Sequence, residues 1–108
     1  MVKLLVFIFS MSFILNAQAS EVQHYTLNIQ NHRFEPEILE LPSNTRIKLN
    51  IINHDKTPEE FESIDLKREK IILGNSKTTV SFGPLSPGEY IFFGDFHQDT
   101  AQGKIIIK

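Results

Sequence analysis

At 108 residues, with 11 lysines and arginines against 13 aspartates and glutamates, the chain has the length of one small domain and a formal charge of −2. That weak acidity argues against a nucleic-acid or anionic-membrane surface, and the absence of cysteine excludes disulfides, thiolate ligands and a thiol nucleophile. A domain of this size sits near the limit of what one core supports, so packing, or packing plus a metal, must hold it together.

The first element in chain order is a leader. Lys3 is followed by a mostly apolar run over residues 4–15 and then by Ala17-Gln18-Ala19, a small-x-small cleavage pattern. These are the regions of a secretory signal peptide in order, and the run is shorter than the ~20 residues of a membrane span. The expectation is an exported protein cleaved after Ala19, with residues 1–19 as signal peptide and 20–108 as the mature domain. Loss of Lys3 leaves ten basic and thirteen acidic residues.

Beyond the leader the hydrophobic pattern has a period of two. Tyr25, Leu27 and Ile29 alternate with polar residues, as do Ile47, Leu49 and Ile51, and then Val80 and Phe82. Such alternation marks strands with one buried and one wet face. Residues 71–73, 90–93 and 105–107 are short apolar, aromatic or β-branched runs that also read as strands, and 37–41 is a further candidate. Turn signals separate them at Pro42-Ser43-Asn44, at Gly74-Asn75-Ser76, and most strongly in Gly83-Pro84-Leu85-Ser86-Pro87-Gly88. Residues 53–65 form the one long irregular piece, where Pro58 argues against a central strand. Residues 65–70 read as a charged hairpin edge. The pattern predicts an all-β domain, a Greek-key β-sandwich of about seven to eight strands.

Ligand-type residues concentrate in two places. One is the irregular excursion, with His54, Asp55, Glu59, Glu60 and Glu62, followed by Glu69; the other is the loop after the aromatic strand, with Asp95, His97 and Asp99. Loops on a rigid scaffold commonly carry sites, and these two flank strands that can meet at one end of a sandwich. If Glu60-Phe61-Glu62 is extended, both carboxylates share a face and Phe61 points to the other as a core anchor. The bland alternative is a solvated acidic loop and an exposed histidine. His54 suits turn capping as well as ligation, and His24 and His32 lie in or beside the first strand. No Gly-x-Ser-x-Gly elbow and no glycine-rich phosphate loop occurs. A carboxylate pair for glycoside hydrolysis is present by residue type, but a domain this small leaves little room for a sugar cleft.

Taken together, Phe34-Glu35-Pro36, Ile52-Asn53-His54-Asp55, Pro58-Glu59-Glu60-Phe61-Glu62-Ser63, Arg68-Glu69-Lys70, Gly83-Pro84-Leu85-Ser86-Pro87-Gly88-Glu89-Tyr90 and Phe93-Gly94-Asp95-Phe96-His97 with Gly103 resemble the EfeO-type cupredoxin-like domain. That family includes stand-alone periplasmic proteins of bacterial ferrous-iron uptake systems. The resemblance spans nearly all of the mature chain and implies a cupredoxin-like, periplasmic metal-binding protein for iron, copper or both. Aligned on the wider cupredoxin class from Tyr90, the thiolate position is Gly94, the histidine position is His97 and the methionine region is residues 100–102. Only one of four blue-copper ligands survives, so the resemblance implies no blue-copper electron carrier. Imidazole plus carboxylate suits Cu(II), Fe(II) or Fe(III) at a non-blue site better than Cu(I).

The ligands the resemblance implies are Glu60, Glu62 and His97, with Glu69 and Asp95 as further ligands or as groups that orient a histidine. The implied partners are a metal ion, a membrane iron permease and a companion periplasmic iron-binding protein. The family role the resemblance implies is to bind ferrous iron and to help oxidise it, which leaves two expectations open: a binding protein, and a ferroxidase with redox turnover that oxygen consumption with Fe(II) would reveal. The competing expectation is a metal-free adaptor domain whose acidic loop docks a partner protein.

Overall fold

The computed structural model describes residues 21–108; the expected leader lies outside the described residues. The described residues form nine strands, the clearest of them from alternation of the kind seen at Tyr25–Ile29. These are β1 (Val22–Gln30), β2 (Arg33–Glu35), β3 (Ile38–Leu41), β4 (Arg46–Asn53), β5 (Glu59–Ser63), β6 (Arg68–Ile72), β7 (Lys77–Phe82), β8 (Gly88–Gly94) and β9 (Gln102–Ile107). One turn of 3-10 helix, Asp95–His97, follows β8.

The strands form two sheets, in the orders β2-β1-β4-β7 and β3-β9-β8-β5-β6. Both are mixed: β1 runs parallel to β4 and β3 parallel to β9, while every other pair is antiparallel. The sheets pack face to face as a β-sandwich. Leu27, Ile29, Leu49 and Ile51 from one sheet meet Phe61, Phe92 and Ile105 from the other, all fully buried. Phe34, Phe61 and Phe92 form an aromatic centre, with ring centroids 5.1 Å apart for Phe34–Phe92 and 5.2 Å for Phe61–Phe92. Edge-to-face and offset arrangements of this kind add to plain area burial.

Two departures from the sequence pattern position the site. The excursion expected to be irregular contains β5, a strand paired on both sides, with β6 and β8. Pro58 does not prevent this because it stands just before the first strand residue, where its missing N–H removes no ladder bond. The charged stretch at 68–70 is the first part of β6. The three-residue β2 carries no periodic signal. It follows a turn in which Asn31 and His32 take φ of 53° and 57°.

Candidate metal centre

Strand β5 divides its side chains between two sites. Phe61 points inward to the aromatic centre, which sends Glu60 and Glu62 to the outer face of the five-stranded sheet. Across the ladder Glu62 stands opposite Glu69 of β6 on one side and Phe93 of β8 on the other. The 3-10 turn then carries Asp95 over β5, and one carboxylate oxygen from each of Glu60, Glu62 and Asp95 lies within 4.8 Å of the others.

The electrostatics of this group follow from its composition. A hydrogen bond to the Glu69 carboxyl, then burial, then the fields of Glu69, Asp95 and Glu62 push the Glu60 carboxyl up to about 7. Burial, with Asp95 and Glu69 beside it, raises Glu62 as well. Glu60 keeps only 8% of its exposure. Among the described residues the lysine ion pairs are Lys104–Glu89 and Lys108–Glu40, so no lysine or arginine neutralises the group. Four carboxyls with two raised affinities for protons make a place where positive charge is wanted.

The inward parity of β5 that buries Phe61 also buries Glu59, which is 1% exposed. Its Oε1 accepts hydrogen bonds from the amides of Phe96 (2.9 Å) and Glu60 (3.0 Å), and its Oε2 lies 2.6 Å from Nδ1 of His97. A Cβ placed on Gly94 would meet Cδ of Glu59 and Cβ of Ala101 at 2.6 Å. The Glu59 carboxyl therefore fills the space a side chain at position 94 would need. His97 stacks on His32, with centroids 3.6 Å apart and planes 11° from parallel. Asp55 holds the His32 turn by accepting from the amides of Asn31 (2.8 Å) and His32 (2.9 Å). Burial works to raise the Asp55 carboxyl, but those two amides and the nearby His32 and His97 outweigh it, and its pKa is lowered.

The structure thus brings Glu60, Glu62 and Asp95 together, sets Glu69 against them, and turns His97 to Glu59 instead. Glu59, counted in the sequence among the ligand-type residues, and His32, placed there beside the first strand, were not among the implied ligands, yet both are site residues. Glu59 was within reach of the same two-residue parity that placed Phe61. Nothing local marks His32, whose position depends on a left-handed turn and on Asp55, 23 residues away. Of the other histidines, His54 places Nε2 2.8 Å from Oδ1 of Asn28, and His24 is exposed on β1.

A sandwich of this topology with a histidine loop after β8 defines the cupredoxin-like class. The family model for the cupredoxin-like domain matches residues 2–107, and the chain belongs to that family. An uncharacterized protein of Rickettsia prowazekii (strain Madrid E) is 53% identical over 81 residues, covering 75% of this chain and 65% of the relative. The chain therefore spans just under two thirds of that relative's length.

Among solved structures, a copper binding protein in its apo form superposes with a TM-score of 0.72 at 17% identity, over 84% of this chain and 92% of its own. Auracyanin A, a blue copper protein of Chloroflexus aurantiacus, gives 0.70 at 12% identity, over 82% of this chain and 100% of its own. The metal binding domain of the Streptococcus pneumoniae D39 Cu(I)-exporting ATPase CopA gives 0.69 at 11% identity, over 81% and 86%. At these identities the likeness is one of fold.

The donors present decide which metal chemistry fits. A blue-copper centre takes a cysteine thiolate, and this chain has no cysteine, a glycine at position 94 and the Glu59 carboxyl in the vacated space. His97 has its Nδ1 engaged with Glu59. A thiolate copper centre does not fit these residues. The outer group of carboxylates, all oxygen donors, fits a harder cation.

Proposed function

We propose that the chain is an exported, periplasmic metal-binding protein that holds Cu(II) or iron at a non-blue site and supports ferrous-iron uptake. Glu60, Glu62 and Asp95 are the ligands in this reading, with Glu69 hydrogen-bonded to Glu60 as the fourth carboxyl. The observation that carries it is the convergence of those three carboxylates within 4.8 Å, where among the described residues no lysine or arginine pairs with them. Support for the compartment comes from the leader pattern at residues 1–19, and support for the pathway from the motifs shared with EfeO-type domains. The copper binding named for the structural neighbours agrees with a cation as ligand.

Calorimetric titration of the mature domain with Cu(II), and anaerobically with Fe(II), tests the reading. Glu62→Gln and Asp95→Asn are each expected to weaken binding by about tenfold or more, roughly 1.4 kcal/mol. His97→Ala is expected to leave the affinity nearly unchanged, because its Nδ1 faces Glu59 and not the carboxylate group. Equal affinity in all three variants, or loss only in His97→Ala, overturns the ligand set. The bound Cu(II) form is expected to lack intense blue absorption.

A further inference from the structure

The two outer faces of the sandwich differ in chemistry. On the four-stranded sheet most outward positions are polar, Thr26, Asn28, Lys48, Asn50, Thr79 and Ser81, with Val22 and the half-buried Ile52 as its apolar ones. The five-stranded sheet is different. Its register sets Ile38 and Ile91 on either side of Lys104, Phe93 beside Glu62, and Ile71 beside Glu60. Ile38, Ile91 and Ile71 are each about half exposed, at 52%, 51% and 54%. Phe96, Ile64 and Leu73, which follow β8, β5 and β6 in the chain, are exposed as well. Among the described residues, the large exposed apolar side chains within strands are Ile38, Ile71 and Ile91 on this face and Val22 on the other.

Ile38, Ile91 and Phe93, with Glu37, Gln98 and Lys104, line a shallow open groove of about 470 Å³. Next to it lie Glu60, Glu62, Glu69 and Asp95, and Lys104 already leans toward Glu89 at 3.4 Å. Folding cannot explain leaving these isoleucines in water, since polar residues at the same outward positions would keep the core intact. Apolar surface gathered in one place and rimmed by charge marks an interaction site. The charge selects the occupant. A second copy meeting face to face would set carboxylates against carboxylates, and an anionic lipid surface would be repelled.

We propose that the outer face of the five-stranded sheet is a protein-docking surface, and that its partner presents lysine or arginine side chains interleaved with apolar ones. The apolar side chains seat on Ile38, Ile91 and Phe93, and the cations lie toward the carboxylates. This docking rests on the apolar residues and the charge of the face, and it does not require a metal at Glu60, Glu62 and Asp95.

The test uses the mature domain in buffer containing chelator, so that failure of the metal-binding reading leaves it untouched. The probe is a fluorescent peptide of about twelve residues in which lysine alternates with leucine, an extended ligand suited to a sheet surface. Lysine–serine and glutamate–leucine peptides are the controls. The lysine–leucine peptide is expected to bind in the micromolar range, with the controls weaker by about tenfold or more. Amide shifts are expected to map to β8, β9 and β5. Ile91→Ser and Glu62→Lys should each weaken binding by about tenfold while Lys48→Ser, on the opposite face, leaves it unchanged. Ile91→Ser should also leave cation binding intact, which separates the two readings. Equal binding of the lysine–serine peptide, shifts clustered on the four-stranded sheet, or no binding at all overturns the proposal. So does a concentration-dependent dimer that Ile91→Ser dissolves, which would make a second copy the occupant.

Discussion

Glu59 holds the closed end of the sandwich together. It is buried, and it serves the amides of Phe96 and Glu60 as well as the His97 ring. Removing it would leave two backbone donors and an imidazole without their acceptor, the kind of loss that costs far more than an average hydrogen bond. Glu59→Ala is expected to lower unfolding stability by about 3–5 kcal/mol in urea titration, with Glu59→Gln costing less because one oxygen can still accept. Gly94 is the other half of the same arrangement. Any side chain there collides with Glu59 and Ala101 at 2.6 Å. Gly94→Cys should therefore destabilise by about 1–3 kcal/mol, as overpacking does. It should also fail to develop blue absorption when Cu(II) is added. Restoring the thiolate is not enough while a carboxyl occupies its place; strong blue colour in that variant would show that the pocket had remained open.

At the scale of the element, β5 does two jobs through one alternation. Its inward side chains build the core and the Glu59–His97 contact, and its outward ones supply two of the grouped carboxylates. Phe61 anchors the strand between Phe34 and Phe92. Phe61→Ala is expected to cost about 3–5 kcal/mol by thermal or urea unfolding, a large part of a small domain's stability. The strand was only partly legible in the sequence. Glu60-Phe61-Glu62 carries the alternation, but Pro58 and the run of acids read as a loop because composition outweighed so short a periodic signal. The strongly alternating β1, β4 and β7 were plain, since each has a face that must be apolar. Strand β2 and His32 were not. Their placement is made by Asp55 accepting from a left-handed turn, a long-range contact that leaves no local pattern.

For the whole molecule, these groups set a stability profile with two opposing limbs. Glu60 has its pKa raised to about 7 in the folded protein. Between the ordinary glutamate range and that value, the native state holds a proton that the unfolded chain has released. Stability from this group is thus complete below the ordinary range and is lost as pH rises toward 7. Asp55 works in the other direction. Its lowered pKa makes the unfolded chain the better proton binder, so its contribution is present above the ordinary aspartate range and is lost as pH falls through the folded value. Urea midpoints measured from acid to neutral pH are expected to fall at both ends. Glu60→Gln should flatten the limb on the neutral side, and Asp55→Asn the limb on the acid side. A bound cation reverses the first of these limbs. It binds the deprotonated carboxylates of the native state, so with Cu(II) present the midpoint should rise with pH where the metal-free protein declines. Glu62 is raised as well and works on the same limb, so a Glu60→Gln, Glu62→Gln double variant that keeps the parent's decline toward neutrality would remove the link between the outer carboxylates and the stability of the sandwich.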